Sequence, residues 1–403
     1  MNILLMTSVY PDAENTSNEN ITKVVKYFAE SWAGFGHNVY VIHNSHKYPT
    51  LVHKLPASLK KKIATKISFY IPDYCDVCKK EFTINGIKGI RLPILKLRPH
   101  KKVSDSQVSK QVHLIIEKLD SIEFVPDVII SHWVCPQVQL LEGLRARWKN
   151  VRTAVVLHGS DYIYDVDFNM QKYLKYIDVL GCRSLPEALS VKKGLSLEKQ
   201  PFVCYSGIPD TYVENASFNM DKFNDFSTLK MCFVGRLIKY KNVDLLIKAI
   251  SKCKDIPCQL NIVGEGAEKE NLMQLSVALG VSDKVIFHGR KSRDEVLHIM
   301  QSSHLFTMIS KGEVFGLTYL EGMIASCIPI GSIGEGIDGV IIDNENGYLV
   351  SPDDEQGLLE RIIEISKMSR DQLIKIASSA YATAVKFSDS NMAQIYLDNV
   401  MKW

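Results

Sequence analysis

The chain has 403 residues, of which 46% are hydrophobic and 23% charged, with a formal net charge of +3. That length predicts two cores of about 200 residues each, and the composition excludes a disordered or fibrous chain. No apolar run approaches the ~18 residues of a membrane span. Met1 to Ser8 carries no basic leader, and nine scattered cysteines read as reduced thiols, so a cytoplasmic protein is expected. Cys75 and Cys78 have zinc-like spacing but no second half, and no metal site is expected.

Residues 2–7 read as a buried strand, 21–32 as a helix with Val24, Val25, Phe28 and Trp32 on one face, and 37–43 as the next strand. This βαβ unit begins a parallel sheet. Its first loop, Asp12 to Asn20, holds no glycine and makes a poor phosphate cradle. Between Lys47 and Lys102 there are fourteen Lys or Arg against three acids. Within that stretch, residues 51–72 read as a basic amphipathic helix, with Leu59, Ile63 and Ile67 on one face and Lys60, Lys61, Lys62 and Lys66 on the others. Such a segment suits an anionic surface, so peripheral contact with the inner face of the plasma membrane is expected here.

The alternation resumes with a helix at 107–119, a strand at 126–132, a helix at 137–148 and a strand at 153–158. The last strand runs into His158-Gly159-Ser160-Asp161, placing an imidazole and an acid at a carboxyl edge, where parallel sheets keep their chemistry. Asp165 and Asp167 have metal-like spacing without an adjoining strand and are set aside. Strands at 178–182 and 202–205 complete the first sheet, and 206–228 reads as a linker.

The pattern then restarts. A strand at 230–234 leads to Gly235, Arg236, Lys239 and Lys241 just before a helix from Val243 to Lys252, a candidate anion site with Asn242 able to act as N-cap. A strand at 259–263 enters Gly264-Glu265-Gly266, a strand at 285–289 precedes Arg290 and a helix at 292–301, and a strand at 305–309 follows. Residues 308–331 read as strand end, loop, short helix and buried strand. Glu313 precedes the helix and Glu321 lies within it. At the helix start the Gly316, Leu317 and Thr318 amides are free to meet a phosphate. Gly334-x-Gly336-x-x-Gly339 spells a dinucleotide fingerprint, but acids fill two open positions and an apolar run follows, so it is read as a decoy. Helices at 354–367 and 370–386 and an amphipathic segment to Trp403 close the chain.

Taken in order, Gly235-Arg236-Leu237…Lys241, Ile262-Val263-Gly264-Glu265-Gly266, Val285 to Gly289 and Glu313-x7-Glu321 resemble the signature of the family 4 retaining glycosyltransferases. The likeness runs on through Pro329, the Gly334–Gly339 loop and Asn346 to Asp354. In the first half it rests on Gly36-His37-x-Val39-x-Val41, Asp127 to Trp133 and His158-Gly159-x-Asp161. It implies an α/β GT-B fold of two Rossmann-like, doubly wound parallel-sheet domains facing a cleft. The expected divisions are 1–205 for an acceptor-binding domain, 206–386 for a nucleotide-sugar domain, and 387–403 for a helix returning to the first.

The resemblance also implies roles. Arg236 and Lys241 would hold the diphosphate without a metal, Glu313 would contact the donor sugar, and His158 would lie beside the anomeric carbon. The 315–318 amides (Phe315, Gly316, Leu317, Thr318) would reach sugar and phosphate, Glu321 would bind ribose hydroxyls, and Gly289 and Arg290 would border the base. Gly235 and Gly264 complete the donor set, with His132 and Asp161 expected on the acceptor side. No cofactor is implied beyond the donor, a UDP-sugar being favoured. The expected function is transfer of a hexose-type sugar, with retention, to a lipid-linked glycan acceptor in surface polysaccharide biosynthesis. A nucleotide-sugar epimerase and a catalytically silent sugar-nucleotide-binding subunit are the alternatives. An NAD dehydrogenase is disfavoured because its fingerprint occurs only as the decoy. No nucleic acid partner is expected.

Overall fold

The computed structural model describes residues 1–11, 22–56, 58–60, 78–96, 102–159 and 168–402. The chain folds as two compact units. The first comprises Met1–Arg183, Glu187–Cys204 and Ala393–Trp403; the second comprises Ser184–Pro186 and Tyr205–Met392. Apart from the three residues Ser184–Pro186, the boundaries fall at 204/205 and 392/393, so the closing helix Asp389–Lys402 starts in the second unit and ends in the first.

The described residues of the first unit form ten short strands: β1 (Asn2–Thr7), β2 (Asn38–His43), β3 (His46–Lys47), β4 (Lys80–Ile84), β5 (Ile87–Arg91), β6 (Ile94–Leu95), β7 (Val128–His132), β8 (Arg152–Leu157), β9 (Val179–Cys182) and β10 (Phe202–Val203). Eight form one sheet in the order β10-β9-β8-β7-β1-β2-β5-β4, while β3 and β6 pair separately. All pairs in the large sheet are parallel except β4 with β5. That hairpin lies in a stretch where no strand is expected from the hydrophobic pattern. Its signal is Asn85-Gly86, both at positive φ (48° and 82°), the turn that matches strand twist. The central strands are near-continuous apolar runs because helices cover both faces of a parallel sheet. Helix Val24–Gly34 contributes Val25, Phe28, Ala29 and Trp32 to the buried side.

The second unit is built on a wholly parallel six-stranded sheet of β11 (Leu229–Val234), β12 (Cys258–Val263), β13 (Val285–Gly289), β14 (Leu305–Thr307), β15 (Ile328–Ser332) and β16 (Tyr348–Val350). Its order is β13-β12-β11-β14-β15-β16, so the chain winds outward one way from β11 and then returns to β11's other side with β14. The stretch expected as a linker, 206–228, is instead folded into this unit. Ile208 and Phe223 are buried in its core, and Ile208 bridges to Ser388. Among the described residues no helix is long and apolar enough to cross a membrane.

Candidate active site

The order reversal between β11 and β14 leaves a crevice at the carboxyl ends of those strands, because their two following loops turn to opposite faces. The chain fills that point with charge. Lys241, from the loop after β11, is ion-paired to Glu313, from the loop after β14, with only 12% and 17% of the two side chains exposed. Backbone and side-chain bonds lock the loops together: Lys311 N–H donates to Tyr240 O at 2.8 Å, and Asn242 Nδ2 donates to Ile309 O at 3.0 Å and Pro352 O at 2.7 Å. Asn242 holds the N-cap position expected from sequence, but its side chain makes no capping bond. It sits at φ 50° and its amide fastens the loop instead. Arg236 stays exposed, its guanidinium donating to the Tyr240 hydroxyl at 3.2 Å.

Helix Leu317–Ile324 begins at the same place. Gly316 caps it with φ 81° and no side-chain cap. A Cβ there would lie 2.8 Å from the Tyr319 ring, so glycine is required on two counts. An eight-residue helix with a bare first turn presents backbone N–H groups and a positive dipole end. Phe315 does not face this opening with its side chain; the ring is buried against Tyr205 and Phe387 at 5.2 and 6.5 Å. The Glu321 carboxyl, on the helix, has no hydrogen-bond partner among the described residues. Burial pushes its pKa up, and the Arg293 charge pulls the other way. A desolvated carboxyl without a partner is a ready acceptor for ligand hydroxyls.

The glycines around the crevice divide by cause. A Cβ on Gly264 would come within 1.8 Å of Gly235 O, and one on Gly266 within 2.1 Å of Leu237 O. These residues let the β12 loop lie flat on the β11 loop, with Leu237 N–H donating to Glu265 O. Gly289 (φ 66°) ends β13, and exposed Arg290 follows it. The Gly334–Gly339 loop is structural: Glu335 Oε2 accepts from Glu313 N–H at 2.7 Å, and Gly336 N–H donates to Glu313 O at 2.9 Å. One of the acids that spoil the fingerprint thus holds Glu313 in place. Glu335 escapes a reading of the sequence because its partner lies 22 residues away with no periodicity between them.

In the first unit β1 is the strand where winding reverses, with β2 on one side and β7 on the other. His132 ends β7, and His158 follows β8. His132 Nδ1 and His158 Nε2 are 2.8 Å apart. Trp133, at φ 66°, stacks on the His158 ring with centroids 4.1 Å apart and planes 18° apart. Gly159 N–H donates to Glu187 Oε1 at 2.7 Å, which fixes the turn after His158. Burial holds both imidazoles well below their usual range; the Arg183 charge adds to this, and His132 adds further for His158. Asp161, the Asp12–Asn20 loop, Asp165, Asp167, Cys75, Lys61, Lys62 and Lys66 lie outside the described residues. A cavity of about 420 Å³ lined by Arg145, Arg152 and Asp178 lies at the opposite, amino edge, where Arg145 is tied to Asp178 at 2.9 Å. No group of three metal-ligating side chains occurs among the described residues.

Known proteins share this architecture. Residues 220–380 match the family model described as Glycosyl transferases group 1. An uncharacterised glycosyltransferase of Methanocaldococcus jannaschii is 28% identical over 243 residues, which cover 59% of this chain and 65% of that protein. The chain thus spans a little under two thirds of that relative. The lipopolysaccharide outer core galactosyltransferase WaaB, in its apo form, superposes with a TM-score of 0.67 at 16% identity, covering 100% of this chain and 99% of that one. The Anabaena protein HepE in complex with UDP and glucose gives 0.60 at 16% identity over 100% of both chains. The fold is therefore that of the GT-B glycosyltransferases.

Proposed function

We propose that the chain is a retaining glycosyltransferase that moves a hexose-type sugar from a nucleotide-sugar, a UDP-sugar being favoured, to a lipid-linked glycan acceptor. The observation that carries the reading is the Lys241–Glu313 pair at the winding reversal of the second sheet, beside the bare helix start at Gly316. A donor with a diphosphate at one end and hydroxyls at the other matches that set. Arg236, Lys241 and the Gly316–Thr318 amides neutralise the departing diphosphate, the task a metal performs elsewhere. Glu313 exchanges Lys241 for the sugar hydroxyls, and Glu321 takes the ribose. The match of residues 220–380 and the UDP and glucose in the HepE complex support this assignment.

In the transfer itself the bond from the anomeric carbon to the leaving phosphate oxygen breaks. A bond from the same carbon to the acceptor oxygen forms on the same face, and the acceptor proton passes to the phosphate. His158 serves the acceptor side, whereas His132, expected there from sequence, is fully buried with both ring nitrogens in contact with His158 and Tyr396 and stands behind it. Surface polysaccharide is the favoured setting, and the Lys47–Lys102 excess of cations is the favoured membrane contact.

A thermal-shift panel of nucleotide-sugars tests the donor, since ligand at 100 times Kd stabilises by about 2.7 kcal/mol. Labelled donor incubated with and without lipid-linked acceptor tests the reaction. Product formed only with acceptor supports transfer, whereas a new nucleotide-sugar formed without acceptor would show an epimerase. Unchanged binding to anionic vesicles when Lys60, Lys61, Lys62 and Lys66 become Glu removes the membrane contact.

A further inference from the structure

His132 is joined on its far side to the closing helix of the chain. Tyr396 Oη lies 3.3 Å from His132 Nε2, so a line of contacts runs Tyr396, His132, His158. All three residues belong to the first unit. Tyr396 is 1% exposed, with Phe28, Trp32 and Phe202 packed around its ring at 5.1 to 5.4 Å. Trp32 Nε1 donates to Ala393 O at 3.0 Å, anchoring the helix that carries it. Among the described residues the hydroxyl has no partner other than His132.

We propose that Tyr396 and His132 are positioning residues that hold His158 in one neutral tautomer, with its hydrogen on Nδ1, so that it presents a hydrogen-bond donor to a ligand oxygen. Two neutral arrangements satisfy the His132–His158 contact. In one, His158 Nε2–H donates to His132 Nδ1, and His132 Nε2–H donates to Tyr396. The buried hydroxyl hydrogen of Tyr396 then has no acceptor, a costly arrangement. In the other, Tyr396 O–H donates to His132 Nε2 and His132 Nδ1–H donates to His158 Nε2, so the buried hydroxyl hydrogen has its acceptor. That leaves the His158 hydrogen on Nδ1. An imidazolium is opposed by burial and by the Arg183 guanidinium, which is itself held by Cys204 O. The Trp133 ring on one face and the Glu187 bond to Gly159 keep the imidazole in register. His158 so held is a donor to a hydroxyl or ring oxygen and is not a base at that atom.

The inference rests on His158 facing a substrate, but its test does not depend on transfer. Two-bond proton–nitrogen spectra of the whole protein with ¹⁵N-histidine, assigned through His158→Gln, report the tautomer directly. The expected wild-type result at pH 7 is a neutral His158 protonated on Nδ1; protonation on Nε2 or on both nitrogens overturns the proposal. Tyr396→Phe should lower the preference from about tenfold or more toward parity, and an unchanged spectrum would remove Tyr396 from the line. His132→Asn, whose amide can replace the Nδ1 donor, should keep the signature, and His132→Leu should lose it. Equal spectra for these two variants would refute the role of His132.

Discussion

The carboxyl edges of the two sheets share a topology and differ in electrostatics. In the second unit the winding reversal carries opposite charges that are partly exposed and paired to each other, an exposed arginine and an uncapped helix. In the first unit the same kind of edge carries two imidazoles kept neutral by burial, with an indole stacked on one of them. Burial decides the difference. A cation left near water keeps its charge for an anionic ligand, whereas a ring enclosed by aromatic side chains keeps only its hydrogen-bonding capacity. One edge therefore suits a phosphate, the other an uncharged, hydroxyl-bearing group.

Glu313→Ala should disturb this division most. Transfer should fall about a thousandfold, while nucleotide affinity by calorimetry stays within about threefold, because Lys241 is released for phosphate. Equal loss of both would remove Glu313 from the sugar side. Arg236→Ala and His158→Ala should each cost about a hundredfold in kcat/KM, but for opposite reasons. The first should weaken nucleotide binding about tenfold and the second should leave it unchanged; similar binding by the two variants would erase the distinction between the edges.

Gly264→Ala probes the frame beneath the charged edge. The Cβ within 1.8 Å of Gly235 O forces the backbone apart, so stability should fall by about 2–4 kcal/mol in denaturant unfolding. A variant of wild-type stability would show the loops free to separate. The smallest effect is in pH dependence. His304 accepts from Lys230 N–H at Nδ1 and donates to Lys222 O from Nε2, and burial lowers its pKa to about 4. Above about pH 6.5 the ring is neutral both folded and unfolded. Between about pH 6.5 and 4 the unfolded chain binds a proton that the folded chain refuses, so stability falls with pH by up to about 1.4 kcal/mol per unit and levels off below about 4. His43, also lowered to about 4, acts in the same direction in the first unit. His304→Gln should flatten the slope of unfolding free energy across that window, and an unaltered slope would assign the acid sensitivity elsewhere.

Much of this site is legible locally. The loop with Arg236 and Lys241, the glycine before helix Leu317–Ile324 and the histidine after β8 all stand at strand ends, where turn chemistry interrupts apolar runs. The hairpin at Asn85-Gly86 has an equally local signal, but one that lies beside a lysine-rich stretch and is masked by it. The bonding of the Asn242 side chain and the folding of the 206–228 stretch depart from expectation for a different reason. The side chains involved have tertiary partners, Ile309 and Pro352 for Asn242 and the second unit's core for Ile208 and Phe223, and these override local preference. Glu187, Glu335 and Tyr396 give no signal because each acts on a residue far along the chain.

Hydrophobic period and turn chemistry act over a few residues, so the amino-acid order is enough to specify the alternation of strand and helix, the parallel sheets that follow from it, and the places where polar residues gather at strand ends. Which of those ends meet is a matter of tertiary structure. Lys241 finds Glu313 across 72 residues because β14 returns to the side of β11, and Tyr396 finds His132 across 264 because the last helix ends in the first unit. Strand order and the closing of the chain are collective choices of the core, and no window of sequence contains them.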